Sequence, residues 1–226
     1  MNITIKQIKH LALNSYQEQG DIILVIGNAY GIMPYVEPLA TTLNQAGYSC
    51  YWFAFSGQNE TAGTFAFDNC THDFNLIVEH LSKQFPEKKI NIIAHCAGGL
   101  MTMEYCKRYG TEKLHRIIFY GLLYAPYRRR QIAERKLRQC KVNYSLAESD
   151  WHYNVLGSLP AVTVPVMFCH AKDRLNMERG NREEMEGVKN ACSCVFRWYE
   201  EGYDENIGNI QSFAADYIHF LKGDMK

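Results

Sequence analysis

Ile90-Asn91-Ile92-Ile93-Ala94-His95-Cys96-Ala97-Gly98-Gly99 is the stretch on which the reading of this chain turns. Ile90 to Ala94 has the length and apolar character of a strand buried on both faces, and from about Gly98 to Tyr109 the pattern is helical. A strand that passes into a helix through a turn of small residues is the context of a nucleophile elbow, usually written G-x-S-x-G. Small residues are needed on both flanks because the turn packs the helix tightly on the strand. Ala94 stands in the first position and Gly98 in the second. Cys96 then occupies the apex, where the side chain is lifted above the sheet. The amide of Ala97, next in the chain, points at an oxyanion formed there. A buried cysteine can also be no more than a small apolar side chain; the Ala-x-Cys-x-Gly-Gly frame favours the nucleophile position. His95 leaves the elbow in another direction and reads as packed beside the strand.

Outward from this turn the chain alternates strand and helix. Ile22 to Ile26 is a continuous apolar run. Val36, Leu39, Ala40 and Leu43 recur at i, i+3, i+4 and i+7, the stripe of a helix, and Gly47 is placed to end it. Cys50 to Phe55 reads as a strand, followed by a polar loop from Ser56 to Gly63. Phe74, Ile77, Val78, Leu81 and Phe85 mark a helix that Pro86 stops. His115–Tyr120, Pro165–Cys169 and Cys194–Tyr199 are further strands, and Ile210, Phe213, Ala214, Tyr217 and Leu221 give a closing helix. Such units predict an α/β fold with a mainly parallel sheet covered on both faces. Ile3 to Asn14 precede them and suit one or two antiparallel edge strands. The loop Gly27-Asn28-Ala29-Tyr30-Gly31, after the first buried strand, is where a second oxyanion donor is expected, from the amide of Asn28, Ala29 or Tyr30.

Composition sets broad limits. The chain has 226 residues, 24 basic and 24 acidic side chains, and so no net charge to suggest a nucleic acid or membrane surface as partner. The N-terminus lacks the apolar core of a signal peptide and no stretch has the length of a membrane span, so a cytoplasmic protein is expected. The eight cysteines are not spaced as a disulfide framework, and reduced thiols are expected. Cys192-x-Cys194 is too close for an ordinary zinc pair and reads as alternating positions on a strand. No metal or cofactor is expected.

With these motifs in place, the chain resembles the dienelactone-hydrolase-like branch of the α/β hydrolases, which uses a cysteine nucleophile. The resemblance covers about Asp21 to Leu221, without the insertion described below. It rests on Ala29-Tyr30-Gly31-Ile32 with Leu43-x-x-x-Gly47-Tyr48, the elbow, Phe119-Tyr120-Gly121, and Pro165 to Asp173. It implies a single α/β-hydrolase domain over residues 1–226, with Asp173 as the triad acid. It also implies a histidine just after the last strand. There the chain reads Tyr199-Glu200-Glu201-Gly202-Tyr203-Asp204-Glu205-Asn206, with Asp204 or Glu205 in the expected place and no histidine. His170, at the end of the strand that bears Asp173, and His152 remain as candidate bases.

Residues 122–163 break the strand–helix rhythm and read as a lid inserted over one end of the sheet. Ile132 and Leu137 among charges suggest a short amphipathic helix. Arg128, Arg129 and Arg130 are candidates for an anionic substrate such as a coenzyme A or carrier-protein thioester. Trp151, with Tyr144, Tyr153 and Leu156, is a candidate lining for an acyl pocket, and His152 sits beside it. The chemistry implied is acyl transfer through an acyl-Cys96 intermediate on an ester or thioester, as a hydrolase (thioesterase) or an acyltransferase. A lyase, an isomerase or an inactive binding module on the same fold is the alternative.

Overall fold

Eight strands form one sheet in the order β1-β2-β4-β3-β5-β6-β7-β8 in the computed structural model, which describes residues 3–17, 19–32, 34–124, 126–171, 185–190, 194–199 and 210–225. The strands are β1 (Thr4–Ile8), β2 (Leu11–Tyr16), β3 (Ile22–Ile26), β4 (Ser49–Phe53), β5 (Ile90–His95), β6 (Leu114–Tyr120), β7 (Val166–Ala171) and β8 (Val195–Tyr199). β1 and β2 pair antiparallel at one edge and β2 is antiparallel to β4, as the N-terminal pattern suggested. From β4 through β3, β5, β6 and β7 to β8 every pairing is parallel. This is the α/β-hydrolase fold.

The helices follow from the apolar stripes. α1 (Val36–Gln45) buries Val36, Leu39, Ala40 and Leu43. It ends where Gly47 takes φ +96°, a value that lets Tyr48 N–H turn back to the Leu43 carbonyl at 3.2 Å. α2 (Phe67–Gln84) buries Phe74, Ile77, Val78 and Leu81 and stops ahead of Pro86. α3 (Ala97–Tyr109) follows β5 directly. A closing helix, Ile210–Lys222, packs on α1.

Strand alternation sorts the core into two layers. Ile22, Leu24 and Ile26 meet α2 and α3, whereas Ile23 and Val25 meet α1 and the closing helix. A central strand covered on both faces must be apolar at every position, and all five β3 residues are buried.

Residues 122–163 carry a 3-10 turn (Pro126–Arg129) and three helices, α4 (Arg130–Gln139), α5 (Glu148–Trp151) and α6 (Val155–Ser158). The amphipathic helix is present, but its inward pair is Ala133 with Leu137, at i and i+4. Ile132 is 43 % exposed, because a helix cannot turn adjacent residues 132 and 133 to the same face. The middle of this segment is fastened to the loop after β4. Phe65 N–H donates to the Asn143 carbonyl (2.7 Å), Ser145 N–H to that of Phe65 (3.0 Å) and Asn143 N–H to that of Gly57 (2.9 Å).

Candidate active site

β5 runs out at His95, and α3 starts at Ala97, so one residue makes the whole turn. That residue, Cys96, has φ 51° and ψ −116°. A non-glycine side chain at such angles is strained and persists only where its surroundings over-determine it. The constraints are visible. Cys96 N–H donates to the Tyr120 carbonyl at the end of β6 (3.0 Å), and Gly99 N–H donates back to the Cys96 carbonyl (3.1 Å). A Cβ at Gly98 would sit 2.2 Å from the Gly27 carbonyl oxygen and 2.9 Å from Ile26 Cγ2, so helix and strand approach as only glycine allows. Cys96 itself is a half-buried thiol outside any disulfide. It stands at the N-terminus of a thirteen-residue helix, whose first-turn amides and dipole favour an anion.

The other described cysteines at Cys50, Cys70, Cys106, Cys140 and Cys169 are free thiols, and burial raises Cys50, Cys70, Cys106 and Cys169 well above the ordinary thiol range. Cys194 departs from the expectation of reduced thiols: it is disulfide-bonded, and it precedes β8 rather than lying on it.

His95 is packed beside the sheet, as its place in the turn suggested. It is buried, and its Nδ1 shares a 2.6 Å hydrogen bond with the Tyr35 hydroxyl. Tyr35 is the residue that leads into α1, so this bond ties the far end of the β3–α1 loop to the strand beneath the elbow.

The near end of the same loop is held differently. Asn28 is buried, and its Oδ1 accepts the Tyr30 N–H at 2.8 Å, an Asx turn. The Tyr30 amide is therefore committed within the loop, and Asn28 pairs with Gly31 in an antiparallel bridge across it, which leaves Ala29 of the three expected donors. The Asn28 carbonyl accepts the Gln58 side-chain N–H (3.0 Å), and Gln58 Oε1 accepts the Phe55 N–H (3.1 Å). Sequence reasoning passed over Gln58 as one residue of a polar loop. Only its near-complete burial, with 1 % exposed, marks it.

His170 lies on β7 as expected but looks into the core. Its Nε2 shares a 2.7 Å hydrogen bond with the Tyr124 hydroxyl, and its ring packs on Phe196 and Trp198. Burial lowers its pKa to about 4, so the imidazole is neutral and a weak base. Burial likewise drives the Tyr124 hydroxyl up, with Cys169 adding to it. Asp173, Asp204 and Glu205 lie outside the described residues.

Within residues 122–163, Arg130 is taken up by Glu134 (3.0 Å) and Glu148 (2.5 Å) and lies over the Trp151 ring, which is buried. The side chains of Arg128 and Arg129 lie outside the described residues. His152 is exposed, stacks on Tyr127 and approaches Glu148 at 3.4 Å. It also borders a cleft of about 340 Å³ with Phe67, Glu104, Arg108, Asp150 and Tyr153. Glu104 lies about 10 Å along α3 from Ala97 at 1.5 Å per residue. This cleft therefore opens beside the distal half of α3, and its polar lining does not suit an acyl chain. His219 is on the closing helix with Asp224 at 3.5 Å.

Among the described residues no group of His, Cys, Asp and Glu could hold a metal, and no helix is long and apolar enough to cross a membrane.

The family model "Serine aminopeptidase, S33" matches residues 17–150, which run from before β3 through the turn at Cys96 to α5. No curated protein matches the chain. Solved structures do. An α/β hydrolase from the metagenome of lagoon sediments of Mar Chica, Morocco, is 13 % identical with a TM-score of 0.70, over 98 % of this chain and 99 % of that one. The esterase EaEST from Exiguobacterium antarcticum is 12 % identical (TM-score 0.70; 97 % and 99 % covered). The thioesterase domain from the curacin biosynthetic pathway is 11 % identical (TM-score 0.69; 96 % and 99 % covered). At these identities the likeness is one of fold.

Proposed function

The chain belongs to the serine aminopeptidase S33 family of α/β hydrolases, and from that premise we propose that it is an acyl-transfer enzyme that cleaves an ester or thioester through an acyl-Cys96 intermediate. The observation that carries the reading is the backbone of Cys96. The backbone at φ 51° and ψ −116° makes the whole strand-to-helix turn at one residue, the arrangement that projects an apex side chain, and strain of this kind clusters at active sites. In the first step the Cys96 thiolate attacks the substrate carbonyl. The oxyanion meets the Ala97 amide at the start of α3 and an amide of the β3–α1 loop; its collapse breaks the bond from the acyl carbon to the leaving oxygen or sulfur, and the alkoxide or thiolate released takes its proton from water.

The second step distinguishes hydrolase from transferase. Hydrolysis needs a group that activates water. Residues 200–209, after the last strand, contain no histidine. His170 and His95 are each hydrogen-bonded to a tyrosine, and His170 is a weak base. Slow deacylation by water follows, and it favours transfer of the acyl group to an amine, thiol or alcohol. A coenzyme A or carrier-protein thioester remains the proposed donor, with Arg128 and Arg129 as its proposed anchors and Asp173, by the family resemblance, as the proposed triad acid. The resemblance to the cysteine-using dienelactone-hydrolase-like branch is consistent with this chemistry.

The test is incubation with p-nitrophenyl acetate followed by mass spectrometry of the intact protein and of Cys96 peptides. A stable acetyl adduct on Cys96, absent from Cys96→Ala, supports the reading. Turnover without Cys96 dependence sinks it.

A further inference from the structure

We infer that Gln58 is a positioning residue that aims the Ala29 amide into the oxyanion site beside Cys96. The inference rests on the acyl-transfer reading above. It starts from the peptide unit between Asn28 and Ala29. A trans peptide is planar and holds its C=O and N–H in opposite directions, and the described chain has no cis peptide bond. Whatever fixes the Asn28 carbonyl therefore fixes the Ala29 N–H the other way. Gln58 Nε2 donates to that carbonyl at 3.0 Å.

Sheet order supplies the direction. β3 lies between β4 and β5. Gln58 stands in the loop after β4, whereas Cys96 follows β5, so the two flank the Asn28–Ala29 peptide from opposite sides. A carbonyl drawn toward Gln58 turns the amide toward the elbow. The neighbouring peptide cannot serve instead, because its N–H, from Tyr30, is bonded to Asn28 Oδ1.

Gln58 is itself held. Its Oε1 accepts the Phe55 N–H at 3.1 Å, and its backbone N–H donates to the Phe55 carbonyl at 3.0 Å. The adjacent Asn59 Oδ1 accepts the Ile32 N–H, fastening the far side of the same loop. Gly57, just before Gln58, receives the Asn143 N–H of the insertion. Both ends of the Gln58 amide are thus in use, one to locate it and one to orient the peptide across from it. A carboxylate in its place can still accept from Phe55 but cannot donate to Asn28.

The experiment compares two reactions of Cys96 in wild type, Gln58→Glu and Gln58→Met. Acetylation by p-nitrophenyl acetate passes through an oxyanion. Alkylation by iodoacetamide displaces iodide at a saturated carbon and needs none, so it reports the thiol and the elbow alone. Loss of one oxyanion donor typically costs about 10²–10³ in rate, and misdirection of a donor that remains should cost about tenfold. The expected result is an acetylation-to-alkylation ratio lowered about tenfold in both variants, with KM nearly unchanged. Below about pH 4, under the ordinary glutamate value of about 4.3, the carboxyl group introduced by Gln58→Glu is mostly protonated and can donate. The ratio of that variant should then recover, while the Gln58→Met ratio does not. Equal ratios in all three proteins overturn the inference and leave the acyl-transfer reading standing. A parallel fall in both reactions marks a merely structural role and also overturns it. No acetyl adduct on wild-type Cys96 overturns the acyl-transfer reading and this inference with it.

Discussion

The strain at Cys96 makes a prediction whose sign is unusual. Cys96→Ala and Cys96→Gly both lack sulfur and differ only by a Cβ. At an ordinary position glycine is the less stable of the two by about 0.5–1 kcal/mol, because it has more unfolded freedom to lose. At φ 51° and ψ −116° the Cβ is itself the source of strain, and relief of a strained non-glycine backbone returns about 1–3 kcal/mol. The net expectation is that Cys96→Gly is more stable than Cys96→Ala by about 1 kcal/mol. For a chain of this size that corresponds to a melting temperature about 2–4 °C higher. Thermal unfolding followed by circular dichroism, on both variants in one buffer, measures it. Both variants should also fail to form the acyl adduct, so the gain in stability accompanies complete loss of function. A glycine variant that melts about 2 °C or more below the alanine variant would refute the claim that this turn is held under strain for the sake of its side chain.

Gly98→Ala should destabilise the protein by about 1–3 kcal/mol or more, since its Cβ would meet the Gly27 backbone oxygen at 2.2 Å. Gly99→Ala should cost less, because the atom it meets, Leu122 Cδ1, ends a flexible side chain; denaturant midpoints of the pair decide it. His170 should give stability a pH dependence. Its folded pKa of about 4 lies below the usual 6.5, so the unfolded chain binds the proton first. Stability is then complete above pH 6.5 and falls by up to about 3 kcal/mol as pH drops toward 4. In His170→Gln that part of the slope should vanish, and an unchanged slope in urea titrations at pH 7, 5.5 and 4.5 would show that His170 is not buried as a neutral ring. Loading Cys96 with acetate and following the adduct by mass spectrometry should give decay far slower than esterase turnover. Rapid decay would mean that a base for water is present and would remove the argument for transfer.

The residues that could be read in advance are those whose role is set by local pattern. Ile22–Ile26 and Ile90–Ala94 read as buried central strands because apolar side chains at every position can be satisfied only when both faces are covered. Ala94 to Gly99 reads as the elbow because a one-residue turn between strand and helix tolerates only small neighbours, and the Gly98–Gly27 approach shows why. The helix at residues 130–139 was legible too, but which of its apolar residues turns inward was not, since Ile132 and Ala133 differ by a rotation that tertiary packing decides.

The direction of a side chain and the identity of its hydrogen-bond partner depend on segments far away in the chain. His170 was placed on the correct strand, yet its bond to Tyr124, 46 residues away, made it a buried neutral ring. Arg130 had the charge for an anion, and Glu134 and Glu148 folded against it. Asn28, Ala29 and Tyr30 were equivalent as candidates until the Asx turn engaged one amide, and Gln58, 30 residues from Asn28, fixed the carbonyl of another peptide. Hydrophobic period and the small residues around Cys96 are written along the chain, so the sequence alone determined the sheet, its covering helices and the tight strand-to-helix turn. A buried polar group must find a partner wherever the chain brings one, so only the tertiary structure decided that His170, Arg130 and the Tyr30 amide are taken up by partners.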